Sequence, residues 1–406
     1  MPKLKSQTMA YGDIFFTDSV KLFGIILCMI TPKIIPIGVQ LPTEYIHALR
    51  VLQGIRRYIR QQPRMRIATS GVNPVSLPEQ LHANYCAGVI TMLGERTDQA
   101  WLRRLKLPIV NVSNRLPSSL CPRVASDDVA CGRLMAEHLL GLGYRHFMYI
   151  PLLNCHFSIL RGQGFCAVLQ AAGHTCHVPV DAGSDFQLQA TELLKTQPRP
   201  LAIGAATDNR ARTVINLATH LGLRIPEDLV VVGCDNDPRE DALSDVAISS
   251  VIPDFETLGF QAAALLERLI TGAKPPKTDL LIPPIGLIER QSTQGIPSSD
   301  PDLQQIVAWM RTHCQDSSLA INAVADANAI SRRTMERKFL NQLNCGPNAM
   351  LLQLRLQKAR ELLTGTQDQI GQIAKASGFC SEYYFSRVFR QELHMTPTEY
   401  RAKYRF

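Results

Sequence analysis

The sequence predicts an α/β domain of two lobes followed by an all-α domain made of two helix-turn-helix units. Three observations carry this. Short apolar runs alternate with amphipathic stretches over the first three-quarters of the chain. In the last quarter a pattern returns after fifty residues. Charge is also divided unevenly: residues 301–406 hold 14 Lys+Arg against 9 Asp+Glu, a net +5, so only +3 of the chain's +8 is left for the other 300 residues. A chain of 406 residues is long enough for more than one domain.

The apolar runs are "KIIPIGV" (33–39), "MRIATS" (65–70), "AGVITML" (87–93), "LPIVNVS" (107–113), "HFMYIP" (146–151), "PLAIGAAT" (200–207) and "DLVVVGCD" (228–235). Helical patterns such as "ACGRLMAEHLLGLG" (130–143) and "NRARTVINLATHLGL" (209–223) lie between them. Such alternation builds parallel sheets from βαβ units. There are too many strands for one ordinary sheet, which predicts two lobes facing a cleft. The sensor domain is expected over 33–293, with lobes at 33–143 plus 249–272 and at 144–246 plus 281–290. A linker at 294–301 follows, short and polar with two prolines around it, and is expected to be only partly flexible.

Ligands of open α/β sheets bind beyond the carboxyl ends of the strands. Asp208 and Asp235 stand at two such ends, and Arg161 opens the helix after a third. Two carboxylates and a guanidinium offer the paired acceptors and donors that grip vicinal hydroxyls. Each also has a plain reading. Asp208 caps the next helix, Asp235 faces water, or Arg161 pairs with a surface carboxylate.

In the tail, a helix from Ser381 would place Phe385, Val388, Phe389 and Leu393 on one face and Tyr383, Ser386, Arg387 and Arg390 on the other. One cationic helix face is commonly just a solvated surface. The second copy changes this. Ser331, Met335, Arg337, Phe339, Leu343 and Pro347 match Ser381, Phe385, Arg387, Phe389, Leu393 and Pro397 fifty residues on. Short apolar helices, "LAINAVADANA" (319–329) and "QIGQIAKASGF" (369–379), precede the two copies. Helix, tight turn and exposed basic helix make the unit whose second helix enters the major groove. Between the units, "NAMLLQLRLQKARELLTGT" (348–366) would form a rod of about sixteen helical residues, roughly 24 Å long. Such a rod would hold the two helices about one duplex turn, ~34 Å, apart.

The stretch "GFCSEYYFSRVFR" (378–390), with "TPTEYR" (396–401), resembles the signature of AraC/XylS-family transcription regulators. The resemblance implies double-stranded operator DNA as partner. The exposed base-facing positions it implies are Arg333, Glu336 and Arg337 in the first unit and Glu382, Tyr383, Ser386 and Arg387 in the second. Arg can bond bidentately to guanine, Glu can accept from cytosine, and Tyr can cover a thymine methyl. Ser331 and Ser381 read as N-caps. Arg332, Lys338, Arg390 and Lys358 suit phosphates. The first turn departs from the family with Ala329 in place of the usual Gly. A left-handed alanine there would cost ~1 kcal/mol.

The segment 33–293 is similar to periplasmic sugar-binding proteins and the sensor domains of lactose-repressor-type regulators. The likeness rests on "VASDDVACGRLMAEHLLGLGYRHFMYI", "RGQGF" (161–165), "AATDN" (205–209), "IPEDLVVVGCDN" (225–236) and "LLIPPIGLIERQST" (280–293). It implies a periplasmic-binding-protein-like fold whose sugar contacts include Arg161, Asp208 and Asp235, with Gln40 a weaker candidate. Asp127 matches a family position too, or simply caps a helix. The domain order, sensor first and AraC-type domain over 302–406, resembles the regulators of pentose operons. It implies a D-xylose-responsive activator acting as a cytoplasmic, nucleoid-associated homodimer. RNA polymerase is a further expected partner. A repressor, or a response to another pentose, is the alternative.

Other classes fit less well. Eleven cysteines, without a C-x-x-C pair, read as reduced thiols rather than a disulfide framework. "HTCH" (174–177) lacks partner ligands for a metal, and no cofactor is expected. No nucleophile–base spacing suggests an enzyme. The apolar run in "KLFGIILCMI" (21–30) is too short to span a bilayer. Residues 1–32 fit neither domain and are expected to be an extension or a disordered tail.

Overall fold

The computed structural model describes residues 34–71, 86–94, 106–179 and 186–404. The expected extension at 1–32 lies outside them. Lobe one carries a parallel sheet in the order β2-β1-β3-β4, from Ile35–Gln40 (β1), Met65–Gly71 (β2), Gly88–Thr91 (β3) and Ile109–Asn111 (β4). Helices Ile46–Gln61 (α1) and Phe255–Ile270 (α7) bury Val51, Ile55, Leu258 and Leu266 against it. A two-stranded parallel ladder, Val124–Ser126 (β5) with Leu280–Ile282 (β11), adds Val124 and Ile282 to the same core.

Lobe two carries a six-stranded sheet in the order β12-β10-β9-β8-β6-β7. Its strands are His146–Ile150 (β6), Cys176–His177 (β7), Leu201–Ala205 (β8), Leu229–Cys234 (β9), Ser249–Ile252 (β10) and Gly286–Ile288 (β12). β12 runs antiparallel to β10, and the remaining pairs are parallel. β8 and β9 are buried along their whole length, as a sheet covered on both faces requires. Helices Asp128–Gly141 (α2) and His156–Ala171 (α3) cover one face, and Phe186–Thr196 (α4) with Asp208–His220 (α5) cover the other. A short helix, Pro238–Ala242 (α6), follows β9.

The expected lobe boundaries need three corrections. Helix α2, assigned to lobe one, buries Cys131, Met135 and Leu139 in lobe two. Strand β10 also belongs to the lobe-two sheet, and β11 pairs within lobe one. The chain therefore crosses between lobes after β5, after β10 and between β11 and β12. The crossings run through Asp127-Asp128, Pro253-Asp254 and Pro283-Pro284, short stretches that also read as ordinary helix caps and turns.

The tail is all-α. Helices Pro301–His313 (α8), Ile321–Ala327 (α9) and Arg332–Leu343 (α10) close one core with the first half of Pro347–Gly365 (α11). The second half of α11 closes another with Ile370–Ala376 (α12), Glu382–Leu393 (α13) and Pro397–Tyr404 (α14). Met335 and Phe339 in one core, and Phe385 and Phe389 in the other, are fully buried. The rod α11 has 19 residues, about 28 Å.

The fifty-residue frame holds for α10 and α13 but slips by one across the turns. Ala329 closes α9 at φ +51, with Ile330 N–H donating to the Ala325 carbonyl. Gly378, forty-nine residues on, closes α12 at φ +82 with the same bond from Phe379 to Ala374. The second turn has one more residue, Cys380, before its N-cap.

The linker differs from expectation. Gln294, Ile296 and Ser298 are buried, and Ile296 joins the first tail core. Ser298 bonds Gln342, Gln294 bonds Glu361, and Gln304 donates to the Glu227 carbonyl at 2.9 Å. One apolar residue placed over a core outweighs a composition that suggests a flexible joint.

Candidate functional site

Asp235 follows β9, Asp208 opens α5 after β8, and Arg161 lies in α3 after β6. The helix pair α2 and α3 brings Arg161 into place. Gly132 and Gly164 let the two backbones touch: a Cβ on Gly132 would lie 1.8 Å from the Arg161 carbonyl oxygen, and one on Gly164 would lie 2.1 Å from that of Val129. Arg161 is then buried and its donors are directed. Nε donates to Asp128 Oδ1 at 2.9 Å, and Nη1 donates to the Ala206 carbonyl at 2.5 Å and to Asp235 Oδ1 at 3.2 Å. Its guanidinium lies 5.0 Å over the Phe157 ring.

Asp208 is 2% exposed and accepts from Ser250 Oγ at 2.6 Å and the Asp237 N–H at 2.7 Å. It does not cap α5; Thr207 does, accepting from the Arg210 N–H. Burial, and then the charge of Asp235, push the Asp208 carboxyl well above its ordinary range. Burial raises Asp235 and Asp128 as well, against the pull of Arg161. The structure thus brings Arg161, Asp208 and Asp235 into one cluster. Gln40 ends β1 on lobe one and is held by Thr91 Oγ1 at 3.0 Å, with no hydrogen bond to that cluster among the described residues.

Four further residues belong to the cleft and were not expected. Asp128, rather than Asp127, faces Arg161; Asp127 caps α2. The "DD" pair was the available signal, since one carboxylate of such a pair is used at the cap and the other can turn inward. Arg50, from lobe one, donates to the carbonyls of Asp235 and Asn236 at 2.9 Å each. Arg239 of lobe two reaches the Glu44 carbonyl. His47 lies beside these cations, stacked 5.4 Å from Tyr45. Burial first, then Arg161, push it down to about 4, so it is neutral near pH 7. Nothing in local sequence marks contacts that exist only when two lobes meet.

On the tail, Ser331 and Ser381 cap α10 and α13. Arg333, Glu336, Arg337, Glu382, Tyr383, Arg387 and Arg390 are exposed, and Ser386 is half-buried. Arg387 lies 5.5 Å over the Tyr384 ring. Three of the side chains expected at phosphates have acidic partners within the chain. Lys338, assigned to a phosphate, is bound to Asp300 at 2.7 Å and Asp302 at 2.9 Å. Arg332 is paired with Glu336 at 2.8 Å and with Asn322 at 3.1 Å. Lys358 is 3.4 Å from Glu361.

Two family models match this chain: the periplasmic binding protein-like domain over residues 136–293 and the helix-turn-helix domain over 324–403. The xylose operon regulatory protein of Escherichia coli (strain K12) is 37% identical over 328 residues, covering 77% of this chain and 83% of that protein. The protein of the same name from Haemophilus influenzae is 31% identical over 293 residues, covering 69% and 74%. A solved structure of a xylose-binding transcription activator superposes with a TM-score of 0.64 at 27% identity, covering 91% of this chain and 98% of that one. With its strand-end cluster in a two-lobed sensor and its paired helix-turn-helix units, this chain belongs to the xylose operon regulatory protein family and is a DNA-binding transcription regulator, not an enzyme.

Proposed function

We propose that D-xylose binds between the lobes, at Arg161, Asp208 and Asp235, and sets the DNA affinity of the tail. The observation that carries this reading is the Arg161 cluster at three strand ends, where buried donors and acceptors lie side by side. Charge-assisted bonds to hydroxyls contribute about 1.5–3 kcal/mol each. Three or four of them supply the ~5.5 kcal/mol of differential affinity that moves a 1:99 equilibrium to 99:1. Arg50 and Arg239, which bridge the lobes, favour the closed form that the sugar would select.

In this reading the protein is a cytoplasmic, nucleoid-associated homodimer that activates pentose catabolism genes through RNA polymerase. Arg333, Arg337, Glu382, Tyr383, Ser386 and Arg387 face bases, and Arg390 faces phosphate. Lys338, Arg332 and Glu336 reach DNA only by exchanging their present partners. Calorimetry of the full chain with xylose, arabinose and ribose tests the sensor half. Uptake of xylose in preference to the other two is expected, and no uptake of any of the three rejects the reading.

A further inference from the structure

We propose that the Asp235–Asn236 turn is the switch element that couples the sugar cleft to the helix-turn-helix domain. This rests on the sugar reading above and adds its route to DNA. Asp235 has φ +106 and Asn236 φ +48, two consecutive L residues in the left-handed region. Such a conformation persists only where neighbours hold it, and it gathers at switch regions.

The turn is tied to β10 by its main-chain N–H groups, Asp235 donating to the Val251 carbonyl at 3.0 Å and Asn236 to Ser250 Oγ at 2.9 Å, and three arginines grip it from three directions. From the cleft, Arg161 grips the Asp235 carboxylate at 3.2 Å. From lobe one, Arg50 grips both main-chain carbonyls. From the side of the tail, Arg290 donates to Asn236 Oδ1 at 2.6 Å. The residue next to Arg290 holds the rod: Glu289 accepts from Arg360 at 2.8 Å and from Gln357 at 2.9 Å, both on α11. An unbroken series of direct contacts therefore runs from the cleft to the helix that spaces the two units.

A cavity of about 630 Å³ adjoins this series, lined by Arg50, Asn236, Glu289 and Arg290 on one side and Arg311 and Glu361 on the other. It gives the turn room to move without displacing packed core. When the lobes part, Arg50 leaves the carbonyls and the left-handed pair loses one of its three arginine holds, keeping its N–H bonds to β10 as the pivot. The turn relaxes, Asn236 Oδ1 leaves Arg290, and the Arg290–Glu289 segment resets its grip on α11. Sugar and DNA then bias one and the same element, which is what coupling between distant sites requires.

The test uses the full chain, D-xylose, and a duplex site recovered by selection from random DNA. Wild-type DNA affinity is expected to change by roughly 5–150-fold on adding xylose. In Asn236→Ala and Arg290→Met that factor falls to about 2 or less, while xylose uptake by the DNA-free chain stays within about tenfold of wild type. Asn236→Asp keeps an acceptor for Arg290 and tolerance of positive φ, and restores the factor; this arm stands even if Arg290→Met fails to fold. An Asn236→Ala chain that keeps the wild-type factor overturns the proposal. So does one that no longer binds xylose, since Asn236 is then part of the sugar site. A wild-type chain that takes up no xylose sinks the sugar reading, and this proposal with it.

Discussion

In the first helix-turn-helix unit, Lys338 reaches back to Asp300 and Asp302, and Arg332 closes on Glu336. In the second, Arg387 and Arg390 form no ion pair among the described residues, and Tyr383 is 80% exposed. The cores are matched: Met335 and Phe339 occupy the places of Phe385 and Phe389. The two units thus share a scaffold but differ in how their charges are used. The first directs part of its charge to the joint with the sensor. The second leaves its cationic face to solvent and rests its core on sensor residues Ile252 and Ile288. A repeated fold does not imply a repeated role.

The largest expected effect tests the likeness of the cores. Phe339→Ala and Phe389→Ala should each cost ~3–5 kcal/mol, measured by urea unfolding of the full chain. A loss confined to one of them breaks the equivalence. Next come the turns. Gly378→Ala must hold φ +82 and bring a Cβ to 2.1 Å from the Cys314 carbonyl oxygen. Left-handed strain and overpacking together predict a loss of ~2–4 kcal/mol, read as a lower melting temperature.

The third comparison concerns DNA. Arg387→Ala should weaken binding to a selected duplex by ~1–3 kcal/mol and relax base preference at one position, measured by fluorescence anisotropy. Arg337→Ala should do the same in the first unit. If the first unit serves mainly as a joint, its loss will be the smaller. Ala329→Gly, in contrast, should be stabilising, by less than ~1 kcal/mol, because relief of left-handed strain is partly offset by a freer unfolded chain.

The smallest effect is that of the joint. The bond from Lys338, helped by those from the Leu303 N–H and Gln342, holds the Asp300 carboxyl below its ordinary range against the opposing effect of burial. Its contribution is therefore full above the unfolded value near 4 and is lost as pH falls through the lowered folded value. Lys338→Met should cost ~0–1 kcal/mol at pH 7 and flatten the fall in stability below pH 4, followed by chemical unfolding across pH. An unchanged acid profile would remove the joint from the comparison.

The alternation of strands and helices was legible because each element carries its own period. The repeat was legible because Phe339 and Phe389 recur at a fixed distance. The Arg161, Asp208 and Asp235 cluster was legible because strand ends in such sheets converge. The bonds of Lys338 to Asp300 and Asp302 were not legible because these partners lie 38 and 36 residues away, a separation no local pattern records. The placement of α2, β10 and β11 failed for a related reason. An apolar face specifies that it will be buried, not in which lobe. Arg50 and Arg239 were invisible because an arginine that bridges two lobes looks, in sequence, like one that faces water.

Ile252 and Ile288 are sensor-strand residues packed in the core of the tail. A chimaera cut at the apparent joint near residue 294 would strip both of their covering, and the donor tail would lose part of its floor. Swapping effector specificity between such regulators therefore calls for a transplant that keeps strands β10 and β12 with the native tail, and exchanges only the segments around the cleft.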